Sequence, residues 1–182
     1  MKYLFILFLI FANNFYGQNV RATESLWDLI RSNSNLKYDS ERIEIIKASD
    51  KYNSNQYLIN RLSKNGQRYL YYTVKEGLRK NLPVELSLIP FVESQFDPYA
   101  RSATGASGIW QFIPSTAREN GLKKNWWYDG RRDIVASTEA AYGFLSKLYE
   151  RYGDWLIAIA AYNAGPSRIK KEIEKNKKNG LP

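Results

Sequence analysis

The chain has 182 residues, 44% of them hydrophobic and 15% aromatic, enough for one globular domain with a sizeable core. Twenty-seven basic residues against eighteen acidic ones leave a net charge of +9, which favours nucleic acid, anionic lipid or an acidic polymer as partner. With no histidine and no cysteine, a Ser-His-Asp triad, a thiolate nucleophile, Fe–S ligation, most catalytic zinc sites and a thioether lipid anchor are excluded. Any catalysis falls to carboxylates, hydroxyls, Lys or Tyr.

Lys2 is followed by the apolar run Tyr3 to Ala12, then Asn13-Asn14 and the small residue Gly17. Residues 1–17 therefore read as a secretory signal peptide with a core too short to span a bilayer, an uncleaved anchor being the alternative. The expected location is the periplasm or cell envelope, without a lipoprotein cysteine. Residues 18–80 read as a linker (Asn19 to Glu24) and a helical arm. Ser25 to Ser32 forms a short amphipathic helix that Asn33 to Asn35 breaks. A second helical pattern runs from Ser40 through Ile43 and Ile46 toward Leu62, and Asn65-Gly66 marks its stop. Tyr69, Leu70, Tyr72, Val74 and Leu78 continue a helical face to Asn81.

Residues 81–182 form the expected main domain. Leu82 to Phe96 reads as one strongly apolar helix: Pro83 sits at a first-turn position, and Pro90 is expected to bend the helix just before Glu93. Asp97-Pro98 stops it. Tyr99 to Gln111, rich in Gly, Ala and Ser, is a loop. Ile113 to Thr116 opens a short helix, with Ser115 or Pro114 at its start and Gly121 as its stop, and Lys123 to Asp129 is a basic-aromatic loop. Asp133 caps a long helix ended by Gly153. Asp154 caps the next, whose core Trp155 to Tyr162 is apolar all round and so expected to be central. Asn163 to Pro166 terminates it, and Ser167 to Pro182 is a Lys-rich helix or tail. No segment reads as a strand, so the fold class is all-α.

Polar residues stranded beside apolar runs mark the candidate sites: Glu93-Ser94, Gln111, Tyr162 and Asn163. A carboxyl in an apolar pocket has its pKa raised and can give and take a proton, the most economical acid–base device for a chain without histidine. Structural ion pairs also bury carboxylates, so pattern alone leaves Glu93 open between the two roles. Trp110, Trp126 and Trp127 are open between core packing and flat platforms for sugars. The Gly105 to Gly108 turn lacks P-loop spacing and a preceding strand, and its GXXG form lacks the sheet of a KH domain. Lys123, Lys124, Arg131 and the Lys170 to Lys178 tail are expected to attract acidic polymers without doing chemistry.

LPVELSLIPFVESQFDPYA, ATGASGIWQFIPSTA, YDGRRDIVASTEAA and DWLIAIAAYNAGPSR, in this order and spacing, resemble the successive motifs of the lytic murein transglycosylases, in particular their membrane-bound D group. The likeness runs from about Leu26 to the C-terminus. It implies a goose-lysozyme-like helical domain with an N-terminal helical arm, no cofactor, and peptidoglycan glycan strands, not nucleic acid, as partner. It also implies that Glu93 is the single catalytic acid/base, and that Ser94, Gln111, Tyr162 and Asn163 bind substrate or line the groove around it. The implied reaction protonates the glycosidic oxygen of a MurNAc–GlcNAc bond and closes a 1,6-anhydro ring. Tyr162 is expected within hydrogen-bond reach of Glu93. Members of the group often continue past the position of Pro182 and often carry a lipid-modified cysteine, so a shortened form is expected here. The rival readings are a hydrolytic muramidase, with Asp97, Asp129 or Asp133 holding a water, and a non-catalytic peptidoglycan-binding protein.

Overall fold

The computed structural model describes residues 26–36 and 56–180, with the backbone alone over 56–65 and at 67. The signal-peptide segment 1–17, the linker, the helical pattern from Ser40 to Asn55 and the last two residues lie outside the described residues. The elements are α1 (Leu26–Ser32), α2 (Gln56–Arg79), a 3-10 turn (Val84–Leu88), α3 (Ile89–Ser94), α4 (Pro114–Glu119), α5 (Ile134–Tyr152), α6 (Trp155–Ala164) and α7 (Pro166–Lys178). Among the described residues the only β features are three isolated bridges, Arg101 with Ser107, Ser107 with Phe112 and Lys124 with Asp129. The domain is all-α.

Local signals place most helix ends where the residue types require them. Asp133 and Asp154 accept hydrogen bonds from the backbone N–H of Ala136 and Ile157, and Gly153 closes α5 at φ +68°. Two expectations are corrected. α2 runs unbroken through Asn65-Gly66; Gly66 is there because the Phe91 ring packs against it, an added Cβ falling 2.9 Å from Cζ. Leu82 to Phe96 is not one kinked helix. Pro83 precedes a 3-10 turn, and Pro90 lies in the first turn of the separate α3, where its missing N–H is no loss.

One core cluster gathers Leu70 and Val74 of α2, Leu86 and Leu88 of the 3-10 turn, Ile89 and Phe91 of α3, Trp110, Tyr142 and Leu145, and Ile159 of α6. The expected arm thus contributes side chains to the same interior as the main domain. Ile30 of α1 also enters it, and α1 is followed by a clasp. Glu85 Oε1 accepts from Ser34 Oγ at 2.6 Å and from the N–H groups of Asn35 and Leu36 at 2.7 and 2.8 Å. α6 is less enclosed than its composition suggests: Ala158, Ile159 and Ala161 are buried, whereas Leu156, Ile157 and Ala160 line a groove shared with α7. α7 itself buries nothing fully, consistent with a Lys-rich surface helix.

Arg131 is also corrected. It is 6% exposed, donates to Asp129 through Nε and Nη2 at 2.8 and 2.6 Å, and reaches the carbonyls of Gly105 and Phe112 through Nη1. Its role is to fasten the loop 101–112 to the 124–129 loop, not to sit mobile on the surface. A buried pair of this kind retains its charge because every lobe of the guanidinium finds an acceptor.

Candidate active site

α3 ends at Ser94, and Gln95 and Phe96 both adopt left-handed backbone conformations at φ 55° and 56°. This tight exit leaves Glu93 on the last turn, half-buried at the mouth of a cleft of about 260 Å³. Ser94 Oγ donates to the Ile109 carbonyl at 2.9 Å and approaches that of Pro90 at 3.2 Å, tying the helix end to the loop. Gln111, itself at φ 48°, folds its amide back to donate to the carbonyls of Gly108 (2.8 Å) and Ala100 (3.2 Å) while lining the cleft.

The opposite wall comes from the C-terminal end of α6. Asn163 Nδ2 donates to Glu93 Oε1 at 3.3 Å, across seventy positions of sequence. Tyr162 does not meet the expectation of a bond to Glu93. Its hydroxyl donates to the Trp110 carbonyl at 2.7 Å, and its ring packs among Trp110, Phe112 and Phe144. Burial, and next the charge of Glu93, push the Tyr162 hydroxyl well above its ordinary value, so it stays protonated and remains a donor. Trp110 is fully buried, with Nε1 donating to Thr138 Oγ1 at 3.0 Å, and is therefore core.

All five residues singled out in the sequence thus stand in one place, four of them lining the cleft and Ser94 bracing it from behind. Phe112, Thr116 and Phe144 also line it and were not singled out. Phe144 reads in sequence as one more member of the α5 stripe, and nothing local distinguishes it.

Burial is the main influence on Glu93 and raises its carboxyl above the ordinary 4.5, with the Asn163 amide pulling weakly the other way. Because the folded-state pKa lies above the unfolded one, the contribution of Glu93 to stability is fully present at acid pH and is lost as pH rises through the Glu93 value. Glu93→Gln does not titrate. Its Tm should match or slightly exceed that of the wild type below pH 4.5 and gain on it progressively above. Melting curves across pH check this, and a constant difference between the two proteins would refute the burial of the charge.

The family model described as "Transglycosylase SLT domain" matches residues 71–180. Membrane-bound lytic murein transglycosylase D of Escherichia coli (strain K12) is 39% identical over 165 residues, which cover 90% of this chain and 36% of that protein. Membrane-bound lytic murein transglycosylase F of Desulfosudis oleivorans is 32% identical over 100 residues, 50% of this chain and 21% of that protein. The chain thus spans about a third of the length of the first of these relatives, 36%.

Proposed function

The chain belongs to the SLT transglycosylase family, and on that premise we propose that it cleaves the MurNAc–GlcNAc β-1,4 bond of peptidoglycan without water, leaving 1,6-anhydro-MurNAc ends. The observation that carries this reading is that Glu93 is the only carboxylate lining the cleft among the described residues. Hydrolysis of a glycoside ordinarily uses two carboxyl groups, one for the leaving oxygen and one for the water or the covalent intermediate. A single carboxyl suffices when the nucleophile is a hydroxyl of the substrate itself.

The steps then balance on one group. Protonated Glu93 gives its proton to the glycosidic oxygen, and the C1–O bond breaks toward the leaving sugar. The 6-hydroxyl of the same MurNAc attacks C1, and its proton passes to the Glu93 carboxylate, which is returned to its starting form. Burial raises the Glu93 pKa and so favours the protonated form that the first step requires. Asn163 steadies the carboxylate between the two transfers through its 3.3 Å contact. Ser94, Gln111 and Tyr162 hold the walls and offer the substrate a cleft edged with amide and aromatic groups.

The three carboxylates from which a hydrolase would draw its second group are committed elsewhere. Asp97 Oδ1 accepts from the Tyr99 N–H at 2.8 Å. Asp129 is paired with Arg131 at 2.6 Å, which holds its carboxyl below the usual range. Asp133 caps α5 and accepts from the Tyr128 hydroxyl at 3.0 Å. Incubation with purified sacculi followed by mass analysis of the products tests the reading. Asp97→Asn, Asp129→Asn and Asp133→Asn, each verified as folded by circular dichroism, should still yield anhydro ends. Reducing ends, or the loss of all products in one folded Asp variant, would restore the hydrolase.

The same reading places the protein in the cell envelope, exported by residues 1–17 and working on the wall as a peripheral enzyme. Among the described residues no helix is long and apolar enough to cross a membrane.

A further inference from the structure

A second pocket, about 510 Å³, lies between the 124–129 loop and the start of the 99–112 loop and shares no residue with the Glu93 cleft. Its aromatic wall is exposed to an unusual degree. Trp126 and Trp127 are 80% and 78% exposed with their rings one over the other, and Tyr99 is 74% exposed. Large apolar rings displayed to water mark a contact surface when they cluster beside charge. They are also held in place. Asn125 Oδ1 accepts from the N–H groups of Trp127 and Tyr128 at 2.9 and 2.7 Å, and Asn125 N donates to the Tyr128 carbonyl at 2.8 Å.

The charge balance in the pocket is lopsided. Arg101, Lys124 and Arg132 line it without an ion pair among the described residues, the Arg132 Nε donating only to Ser107 Oγ at 3.2 Å. Its two carboxylates, Asp129 and Asp133, are committed to Arg131 and to the α5 cap with Tyr128. Three cations are therefore left facing the solvent next to flat ring faces. The ligand that matches carries carboxylates close to a sugar ring: the ring lies on the tryptophans and the carboxylates meet the guanidinium groups, which bind them bidentately.

We propose that this pocket is a second binding site, separate from the Glu93 cleft, for the acidic peptide stem of the wall polymer together with its adjoining sugar. The inference rests on the wall polymer being the substrate. It makes the protein sense whether a glycan strand still carries its peptides. The 99–112 loop joins the two sites physically: Arg101 faces the pocket, while Gln111, which donates to the neighbouring Ala100 carbonyl, faces the cleft.

The test uses the full chain carrying Glu93→Gln, so that strands are bound and not cut, with intrinsic tryptophan fluorescence as readout. The probes are peptide-bearing glycan strands and the same strands stripped of peptide by an amidase, with the lactyl carboxylates that stripping frees capped as neutral amides. Peptide-bearing strands should bind about tenfold more tightly, the scale of one charge-assisted hydrogen bond. Adding Arg101→Gln and Arg132→Gln should abolish that preference while affinity for stripped strands stays unchanged. A preference that survives the double substitution, equal losses on both probes, or tighter binding of a single-stranded oligonucleotide than of either strand would overturn the proposal. Product analysis with Glu93 intact is a separate readout. If no anhydro ends form yet the peptide preference follows the two arginines, the cleavage reading fails and the pocket assignment stands.

Discussion

Glu93→Gln is expected to fold and hold glycan as the wild type does while losing activity by roughly 100-fold or more, the usual contribution of a general acid–base group. The substitution is nearly isosteric, and its amide can still meet Asn163. What it lacks is a proton that can leave and return, and with a lone carboxyl in the cleft among the described residues no neighbour there can substitute. The raised carboxyl adds a pH signature: activity should fall on the alkaline side as Glu93 loses the proton it must donate first. Turnover of sacculi by the wild type across pH, alongside the variant at its optimum, measures both effects. A variant with more than a tenth of wild-type turnover would remove Glu93 from the chemistry.

Gly108→Ala is the substitution with the largest expected effect on stability. Gly108 has φ +81°, and a Cβ there would lie 1.7 Å from the Arg131 carbonyl oxygen and 2.6 Å from its carbon. Both obstacles are backbone, so no rotamer change relieves them, and the left-handed conformation alone costs a side-chain-bearing residue about 1 kcal/mol. The loop must move, which loosens the Gly108 N–H from the Ala100 carbonyl and the Gln111 amide from the Gly108 carbonyl. We expect a loss of about 3 kcal/mol or more, seen as a fall in Tm of roughly 6–12 °C. Gly143→Ala is the control, since a Cβ on that helical residue meets nothing within 4 Å and should leave the protein as stable or slightly more so. Equal melting temperatures for the two variants would count against the close approach.

What could be read from the sequence divides by the range of the forces involved. Asp133, Asp154 and Gly153 act within one helical turn, and their roles follow from residue type and position. Gly66 does not: as a local signal it predicts a stop, but its reason for being glycine is Phe91, twenty-five positions away. Pro90 is ambiguous locally, since a kink and a fresh helix start both suit it, and the preceding 3-10 turn decides. Arg131 reads as surface charge because its carbonyl acceptors at Gly105 and Phe112 lie far off in sequence. The tryptophans are indistinguishable by composition, yet Trp110 is core and Trp126 and Trp127 are in solvent. For the site, the motif likeness located all five residues, but which of Tyr162 and Asn163 faces Glu93 depends on the rotation of α6 about its axis, and that is set by packing against Trp110, Phe112 and Phe144.

The hydrogen bonds of Ser94 and Tyr162 to the segment between the two halves of the cleft end on the carbonyl oxygens of Ile109 and Trp110, not on side-chain atoms. Every amino acid carries that oxygen. The attachment points are therefore indifferent to which residues occupy positions 109 and 110, so long as the chain follows the same path. Mutational drift at position 109 can exchange one apolar group for another of similar volume and leave the Ser94 anchor in place, whereas at position 110 the ring packed against Tyr162 and bonded to Thr138 adds a demand of its own.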